Sequence, residues 1–378
     1  MKRLLFLTVL LLPVVGIAQK KSKEPKVFDL VIGTYTGDSP TSSKGIYVYR
    51  FYAERGESAY LSEVETSNPS YLCITQDHQY VYAANEYYDK GMGGITAFKL
   101  NKTTGKLEEI NSQKAIGTPA YISVDKDQKN VFIANYGGGS MQVFPINKDG
   151  SIGASVQTIQ DSGIGPDKMR QAQPHGHSAV LSPDDKYVMF SDLGIDKINV
   201  FRYRASKNPP LMPATTPFVS TAGGSGPRHS DFSPNGKFMY NIQEMHATIT
   251  TYAYHDGELK LLQTVKMMPD DFKGTNGAAD IHVSPDGLHL YATNRGSVNE
   301  ILAYAIDPEK GTLTFIDRYK TGENPRNFII DPTGNFILVG STHSVNTFKV
   351  DKASGKLALT GKPIRIESAV CLKMVPVE

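Results

Sequence analysis

The stretch GSGPRHSDFSPNGKFMYNIQE, residues 224–244, recurs in variant form along almost the whole chain. It is typical of a β-hairpin, because two strand-like runs flank the turn sequence SPNG at residues 233–236. In an antiparallel pair, the start of the first strand lies beside the end of the second. Arg228 and His229 are therefore predicted to lie close to Glu244.

The hairpin repeats six times in a fixed register. The intervals between successive copies are 50, 57, 51, 51 and 47 residues. The turns start at Thr75, Asp125, Ser182, Ser233, Ser284 and Asp331. Five residues before each turn stand Ser70, Ala120, His177, Arg228, Ala279 and Arg326. Self-similarity at such a period indicates a repeat protein, and the length of the chain therefore does not require a second domain.

Each copy contains four strand-like segments, which is the composition of a β-propeller blade. The segment that starts at Val27 has only three strands, whereas residues 368–374 form an opening strand with no sequel. The two ends therefore complete a seventh blade. The predicted fold is all-β, a single seven-bladed β-propeller with four-stranded antiparallel blades and a ring closed by strands from both termini. Closure of this kind removes exposed strand edges.

The N-terminal sequence predicts export. Residues 1–18 begin with two basic residues, continue with an apolar run and end with small residues, which is typical of a signal peptide. The apolar run is shorter than the roughly 20 residues that a membrane anchor needs. Residues 19–26 are predicted to be a flexible linker, and residues 27–378 the propeller. The expected location is the periplasm or the medium, with no membrane partner after cleavage.

Charge and cysteine content exclude further classes of protein. Without residues 1–18 the chain has 38 basic and 38 acidic residues, whereas a nucleic-acid-binding protein needs a basic field. Cys73 and Cys371 lie in apolar strand-like runs, so two buried free thiols are favoured over a disulfide between them. The sequence contains no motif that indicates an oligomeric state.

Polar residues that the repeat does not require collect at one face of the predicted ring. A second feature of this face is a pair of long connections, residues 159–173 and 266–277, and such loops often line a pocket. The polar residues at the strand entries are His175, His177, Arg228, His229, Asp280, His282 and Arg326, and those at the exits are Glu86, Tyr136, Asp192, Glu244 and Arg295. Taken singly, any of them has the alternative role of satisfying exposed backbone groups or pairing with a neighbour.

As a set, these residues indicate acid–base chemistry on an anionic substrate. A neutral histidine can take a proton from water, an arginine can bind an anion and stabilise a carbonyl oxygen, and a glutamate can orient either. This chemistry serves lactone hydrolysis and lactone formation equally. The sequence has no GxSxG serine, no HExxH motif and no other metal-ligand spacing, so neither a metal nor another cofactor is expected.

Four segments resemble the propeller-type 6-phosphogluconolactonase family, which also includes muconate-lactonising cycloisomerases. The segments are PHGHSAVLSPDD (174–185), GSGPRHSDFSPNGKFMYNIQE (224–244), MMPDDFKGTNGAADIHVSPDGLHLYATNR (267–295) and NPRNFIIDPTGNFILVGS (324–341). The motifs GPRH, AADIH and NR fall in the matching blades in the same order, and the similarity extends over residues 27–378. The resemblance implies a seven-bladed propeller.

The resemblance also implies acid–base and anion-binding roles for four residues that the repeat register selects. They are His177, Arg228, Glu244 and Arg295. Substrate-binding roles are predicted for Glu86, Tyr136, His229, Asp280, His282 and Arg326.

The favoured function is opening of a sugar lactone. His177 would act as general base, Arg228 and Arg295 would bind the anion and the carbonyl oxygen, and Glu244 would orient them. The alternatives are a cycloisomerase that forms lactones from unsaturated dicarboxylates, and an exported propeller that binds without catalysis. The lactonase of the pentose phosphate pathway is expected in the cytoplasm, whereas this chain has a predicted leader. The resemblance therefore supports the lactonase scaffold without specifying whether the substrate is phosphorylated.

Overall fold

The computed structural model describes residues 26–89 and 92–377. The predicted signal peptide and the linker up to residue 25 lie outside this part of the chain. The described residues contain 28 strands in seven four-stranded antiparallel sheets, together with one turn of 3-10 helix at Leu193–Ile195. No helix within this part of the chain is long and apolar enough to cross a membrane.

The strands are short and follow one another through tight turns. In chain order they are β1 (Val27–Thr34), β2 (Gly45–Tyr52), β3 (Glu57–Glu65), β4 (Pro69–Ile74), β5 (Tyr80–Asp89), β6 (Met92–Asn101), β7 (Lys106–Lys114), β8 (Thr118–Val124), β9 (Asn130–Gly137), β10 (Ser140–Pro145), β11 (Gln157–Gln160), β12 (Gly176–Leu181), β13 (Tyr187–Asp192), β14 (Lys197–Tyr203), β15 (Leu211–Ser220), β16 (Pro227–Phe232), β17 (Phe238–Gln243), β18 (Thr248–His255), β19 (Glu258–Lys266), β20 (Asn276–Val283), β21 (His289–Gly296), β22 (Glu300–Ile306), β23 (Leu313–Lys320), β24 (Asn327–Ile330), β25 (Phe336–Gly340), β26 (Ser344–Val350), β27 (Leu357–Arg365) and β28 (Ala369–Pro376).

Each sheet is one blade of a propeller. Blade 1 has the strand order β28-β1-β2-β3, and blades 2 to 7 each contain four consecutive strands, from β4–β7 to β24–β27. The first strands of neighbouring blades contact one another in sequence, from β4 through β8, β12, β16, β20 and β24 to β28 and back to β4. These inner strands therefore surround a central axis, and the predicted seven-bladed ring is confirmed.

Blade 1 closes the ring with strands from both ends of the chain. β28 pairs antiparallel with β1, with Val31 opposite Lys373. The pairing supplies the inner strand that the N-terminal segment lacks, as the sequence predicts. Cys371 on β28 and Cys73 on β4 are both buried and free, which agrees with the expectation of two unpaired thiols.

The hydrophobic core lies between neighbouring blades, because both faces of a middle strand are covered. One cluster joins Val48 of blade 1, Tyr82 of blade 2 and Val131 of blade 3, and all three side chains are fully buried. Burial of such a side chain contributes about 1.5–3 kcal/mol. The outermost strands are exposed along one face, as in β19. Packing of blade against blade therefore fixes the inner strands, and with them the polar ends that surround the axis.

Candidate active site

A β-bulge at the start of the inner strand positions two of the predicted catalytic residues. In blade 4 the strand pairing skips His177, which is an extra residue between two paired neighbours. In blade 5 the pairing skips Arg228 at the same place. A bulge re-aims the side chain of the extra residue. His177 and Arg228 are each only 2% exposed, yet both line the same cavity.

This cavity lies where the polar ends of the blades meet, and its volume is about 220 Å³. Most of the predicted site residues line it, together with residues that were not predicted. The lining residues are Glu86, Ala120, Tyr136, Arg170, His177, Arg228, Glu244, Arg295 and Arg326. The structure therefore brings together the four predicted catalytic residues and three of the six predicted substrate-binding residues, Glu86, Tyr136 and Arg326.

Glu244 is the centre of the charge network in the cavity. Its Oε2 accepts from Arg228 Nη1 at 2.7 Å and lies 3.0 Å from Arg295 Nη2. Its Oε1 accepts from Arg170 Nη2 at 2.7 Å. Burial opposes ionisation of the carboxyl, but the guanidinium groups of Arg228 and Arg295 hold the pKa of Glu244 well below its usual range. Glu244 is therefore a carboxylate that holds three arginines around one space.

His177 is neutral and contacts the same arginine. Its Nε2 accepts a hydrogen bond from Arg228 Nη1, and its ring meets the Tyr136 ring edge-on at 5.4 Å between centroids. Burial, and then the positive charge of Arg228, lower the pKa of His177 well below its ordinary value. Because Arg228 can only donate, the lone pair of His177 is on Nε2 and the proton is on Nδ1.

Opposite this pair, Arg326 is held by Glu86 and Tyr35. Arg326 Nη2 lies 3.8 Å from Glu86 Oε2, and its guanidinium carbon lies 5.3 Å from the centre of the Tyr35 ring. The Tyr35 hydroxyl donates to Glu86 Oε2 at 2.5 Å. Burial raises the pKa of Tyr35, so its hydroxyl stays protonated and remains a donor.

Three predicted substrate-binding residues, His229, Asp280 and His282, do not line the cavity. His229 Nδ1 lies 2.7 Å from Asp280 Oδ1, and His282 Nε2 lies 3.1 Å from Asp280 Oδ2. The His229 ring packs edge-on against Tyr71 and Tyr121, and also contacts the His177 ring at a centroid distance of 5.2 Å. This cluster forms a buried layer beside His177. Its location favours support of the lining residues over contact with a ligand.

Two polar residues of the strand entries and exits have structural contacts instead of a place on the cavity lining. Asp192 Oδ1 accepts from the backbone N–H groups of His175 and Gly194, at 2.8 and 2.9 Å, and caps the 3-10 turn. The His175 ring stacks on Tyr136 with centroids 4.4 Å apart. His175 therefore supports a residue that does line the cavity.

The sequence reasoning missed Arg170 and Tyr35. Arg170 lies on the loop between β11 and β12, one of the two long connections that were expected to line a pocket. The other long connection contributes no residue to the lining of the cavity in the described part of the chain. Tyr35 follows β1 at the place where Glu244 follows β17. Tyr35 therefore occupies the exit position of blade 1, and the repeat register identifies it when blade 1 is included.

The fold and the cavity define a propeller whose central mouth is lined by one histidine, four arginines and two glutamates, and comparison with known proteins identifies its family. Residues 29–374 match the family model described as lactonase, 7-bladed beta-propeller, and the chain belongs to this family. The protein is therefore a lactonase, a hydrolase, and the predicted family is confirmed.

Individual relatives cover almost the whole chain. A 6-phosphogluconolactonase of Bacillus subtilis is 33% identical over 354 residues, which are 91% of this chain and 97% of the relative. A 6-phosphogluconolactonase of Formosa agariphila is 34% identical over 91% of this chain and 99% of its own length. The solved structure of a periplasmic gluconolactonase of Pseudomonas aeruginosa has a TM-score of 0.87 at 35% identity, and covers 93% of this chain and 100% of that one.

Proposed function

We propose that the protein hydrolyses a lactone of gluconic acid, with or without a 6-phosphate, by metal-free acid–base catalysis in the cavity. The observation that carries this proposal is the placement of a neutral His177 beside Arg228, which Glu244 holds together with Arg170 and Arg295. The names of the relatives support the choice of substrate class.

His177 would act as the general base on a water molecule. The water oxygen bonds to the carbonyl carbon while His177 Nε2 takes a water proton. The negative charge that develops on the carbonyl oxygen is stabilised by Arg228 and Arg295. The ring C–O bond then breaks, and His177 returns the proton to the departing oxygen, which becomes a hydroxyl group.

Arg228 connects this proton transfer to substrate binding. Its Nη1 group contacts both His177 Nε2 and Glu244 Oε2, so the lone pair of His177 is occupied before substrate arrives. A carbonyl oxygen that accepts from Arg228 would release this lone pair for the water. Glu244 keeps the guanidinium in the cavity during the exchange, which is the orienting role predicted for it.

The charge of the cavity suits an anion. Four arginines and two glutamates line it, so the arginines exceed the carboxylates by two. Arg170 is the most exposed of the four, with 44% of its side chain accessible, against 2% for Arg228. A 6-phosphate is remote from the lactone carbonyl, and the outward position of Arg170 suits it. Arg170 would then select a phosphorylated substrate while Arg228 acts at the carbonyl.

The lactonase assay should use purified protein with 6-phosphogluconolactone and with unphosphorylated gluconolactone, and should follow acid release above the spontaneous rate. His177→Ala is expected to lower kcat by at least about 100-fold, because general acid–base catalysis contributes about 10²–10⁴-fold. Ser70→Ala is the matched control. Ser70 occupies the same repeat position in blade 2, does not line the cavity, and its hydroxyl contacts no hydrogen-bond partner among the described residues.

Each result of this assay has a defined meaning. Turnover that persists in Ser70→Ala and disappears in His177→Ala supports the assignment, and the ratio of the two substrates shows whether phosphate is recognised. An unchanged rate in His177→Ala removes the general base from the proposal. Absence of turnover with both lactones rejects the proposed reaction, and consumption of a muconate-type acid would then favour the cycloisomerase.

The proposed location is the periplasm or the medium. It rests on the signal-peptide pattern of residues 1–18, and the structural relative from Pseudomonas aeruginosa is a periplasmic protein. Cell fractionation followed by N-terminal sequencing tests this proposal. A mature protein that begins near Gln19 outside the cytoplasm supports it, whereas an intact N-terminus in the cytoplasmic fraction contradicts it.

A further inference from the structure

Two buried ring nitrogens beside the cavity contact no hydrogen-bond partner among the described residues. They are His177 Nδ1 and His229 Nε2. A buried polar atom without a partner costs about 1–3 kcal/mol, so such atoms usually have a water molecule or an ion as partner. The two histidines come from neighbouring blades, and their rings lie 5.2 Å apart at an angle of 76°.

The hydrogen bond that each ring makes through its other nitrogen determines whether the unpartnered nitrogen is a donor or an acceptor. His177 Nε2 faces Arg228, which only donates, so the unpartnered Nδ1 of the neutral ring carries the hydrogen. His229 Nδ1 faces the Asp280 carboxylate at 2.7 Å, which only accepts, so Nδ1 carries the hydrogen and the unpartnered Nε2 carries a lone pair. One unpartnered atom is therefore a donor, and the other is an acceptor.

We propose that a single buried water molecule joins the two histidines. His177 Nδ1–H donates to the water oxygen, and the water donates one O–H to His229 Nε2. The two nitrogens make no direct hydrogen bond although their rings are in contact, and a bridge of one water would give the donor and the acceptor each a partner. The water satisfies both buried atoms and links His177 through His229 to Asp280.

The surroundings keep both rings neutral, as the bridge requires. Burial, and then the positive charge of Arg228, lower the pKa of His229 to about 4, against the opposing effect of Asp280. Arg228 and Arg326 also oppose protonation of His177, while Glu244 favours it. The remaining neighbours of His229, Tyr71 and Tyr121, are buried phenols whose pKa values burial raises, so they carry no charge.

His229 and Asp280 are in this arrangement positioning residues for the general base. This consequence rests on the proposed lactonase mechanism. Asp280 is itself fixed by His282, by the Asn327 side-chain amide and by the backbone N–H of Phe328 at 3.2 Å. The chain from Asp280 through His229 to the water holds the tautomer of His177 that keeps the Nε2 lone pair on the side of Arg228. Orientation of a catalytic base by a third group is a common device in enzymes.

The test compares His229→Phe with His229→Gln in the full chain. Phenylalanine keeps an aromatic ring in the site and removes both nitrogens. Glutamine can accept from the water through its carbonyl oxygen and donate to Asp280 through its amide. The expected result is a kcat that is about 10–100-fold lower for His229→Phe, with a nearly unchanged KM, and largely recovered for His229→Gln. Equal activity of His229→Phe and wild type overturns the positioning role, as does an equal loss in both variants when both are folded.

A second readout does not depend on turnover. NMR of ¹⁵N-histidine-labelled protein reports which ring nitrogen of His177 is protonated, and whether that N–H is hydrogen-bonded. Wild type is expected to show a slowly exchanging Nδ1–H on His177, and this signal should be lost or shifted in His229→Phe. A proton on Nε2 of His177, or an Nδ1–H that His229→Phe leaves unchanged, overturns the bridge. If no lactone is hydrolysed, this measurement still decides the bridge while the proposed function fails.

Discussion

The first two strands of each blade form a hairpin with a turn end and a mouth end. The side chains at these two ends follow the repeat differently. At the turn end, the side chain of the first turn residue accepts a hydrogen bond from the backbone N–H five residues later in all six copies that contain this turn. The distances lie between 2.6 and 3.0 Å. The residues are Thr75, Asp125, Ser182, Ser233, Ser284 and Asp331, and all are buried.

At the mouth end, the position of the β-bulge carries a different residue in almost every blade. It is Ser70, Ala120, His177, Arg228, Ala279 and Val370 in the six blades where the pairing shows the bulge. The backbone shape is repeated there, but the side chains are not. The contacts at the turn end thus lie within one blade, whereas three of these six mouth-end residues, Ala120, His177 and Arg228, line one shared cavity. Turn-end changes should therefore affect stability alone, and changes at the mouth-end residues that line the cavity should affect catalysis.

The largest effect is expected for Glu244→Gln at the mouth end. A neutral amide cannot balance the guanidinium groups of Arg170, Arg228 and Arg295, so the arginines lose their common position. We expect kcat/KM to fall by about 10²–10³-fold. We also expect the free energy of unfolding to fall by about 3–5 kcal/mol, because one partner of a buried ion pair is removed. Steady-state kinetics and urea unfolding measure the two effects.

Glu300→Gln is the control that separates them. Glu300 is buried and accepts from Arg318 Nη1 at 3.1 Å, but neither residue lines the cavity. This variant should lose stability and retain the wild-type kcat/KM. An equal loss of activity in both variants would show that general damage to the fold, and not the position at the mouth, explains the effect of Glu244→Gln.

An intermediate effect is expected in the layer between the two ends, where His282 lies near two carboxylates. Burial opposes protonation of His282, but Asp280 and the hydrogen bond to Asp231 raise its pKa to about 9. The usual value is about 6.5. Since the folded-state pKa is the higher one, the stabilisation is complete below about pH 6.5 and is lost as the pH rises towards 9. We expect the free energy of unfolding to fall by up to about 3 kcal/mol over this interval.

Urea unfolding of wild type and His282→Gln between pH 6 and 9 tests this expectation. The difference between the two proteins isolates the contribution of His282 from that of other titrating groups. The variant should show a flatter pH dependence than wild type. Parallel curves would mean that the charge of His282 does not stabilise the fold.

The smallest effect is expected for Ser284→Ala at the turn end. The Ser284 hydroxyl accepts from His289 N–H at 3.0 Å and donates to Asp286 Oδ1 at 2.5 Å. Loss of the hydroxyl leaves a buried N–H without this partner and should cost about 1–2 kcal/mol. The kcat/KM should not change. A change in kcat/KM at unchanged stability would contradict the division between the two ends.

The repeat made most of the fold predictable. The spacing of the turns predicted the blades, and the incomplete segments at the two ends predicted the pairing of β1 with β28. The same register selected His177, Arg228, Glu244 and Arg295 for the mouth, because inner strands start and second strands end on one face. These predictions depend only on the order and spacing of residues, which the sequence displays directly.

The arrangement within the site was not predictable, because it depends on the bulge and on a loop. Arg228 and His229 are neighbours in sequence, and both were expected to contact substrate. The bulge places Arg228 on the cavity and His229 in the layer beside it. Arg170 reaches Glu244 from a position 74 residues away, through an irregular loop without a repeat partner. No periodic pattern reports such a contact.

Closure of the ring by β28 has a consequence for the newly made chain. β1 (Val27–Thr34) leaves the ribosome well before its inner partner, β28 (Ala369–Pro376). At about 5–20 residues per second, β1 waits about 20–70 s for this partner. During this time the ring cannot close, and the strands that will border the seam have unpaired edges. A chain that closes its ring only when β28 arrives can still pass unfolded through a translocation pore, which suits the proposed export. Until β28 arrives, the unpaired edges need protection from aggregation.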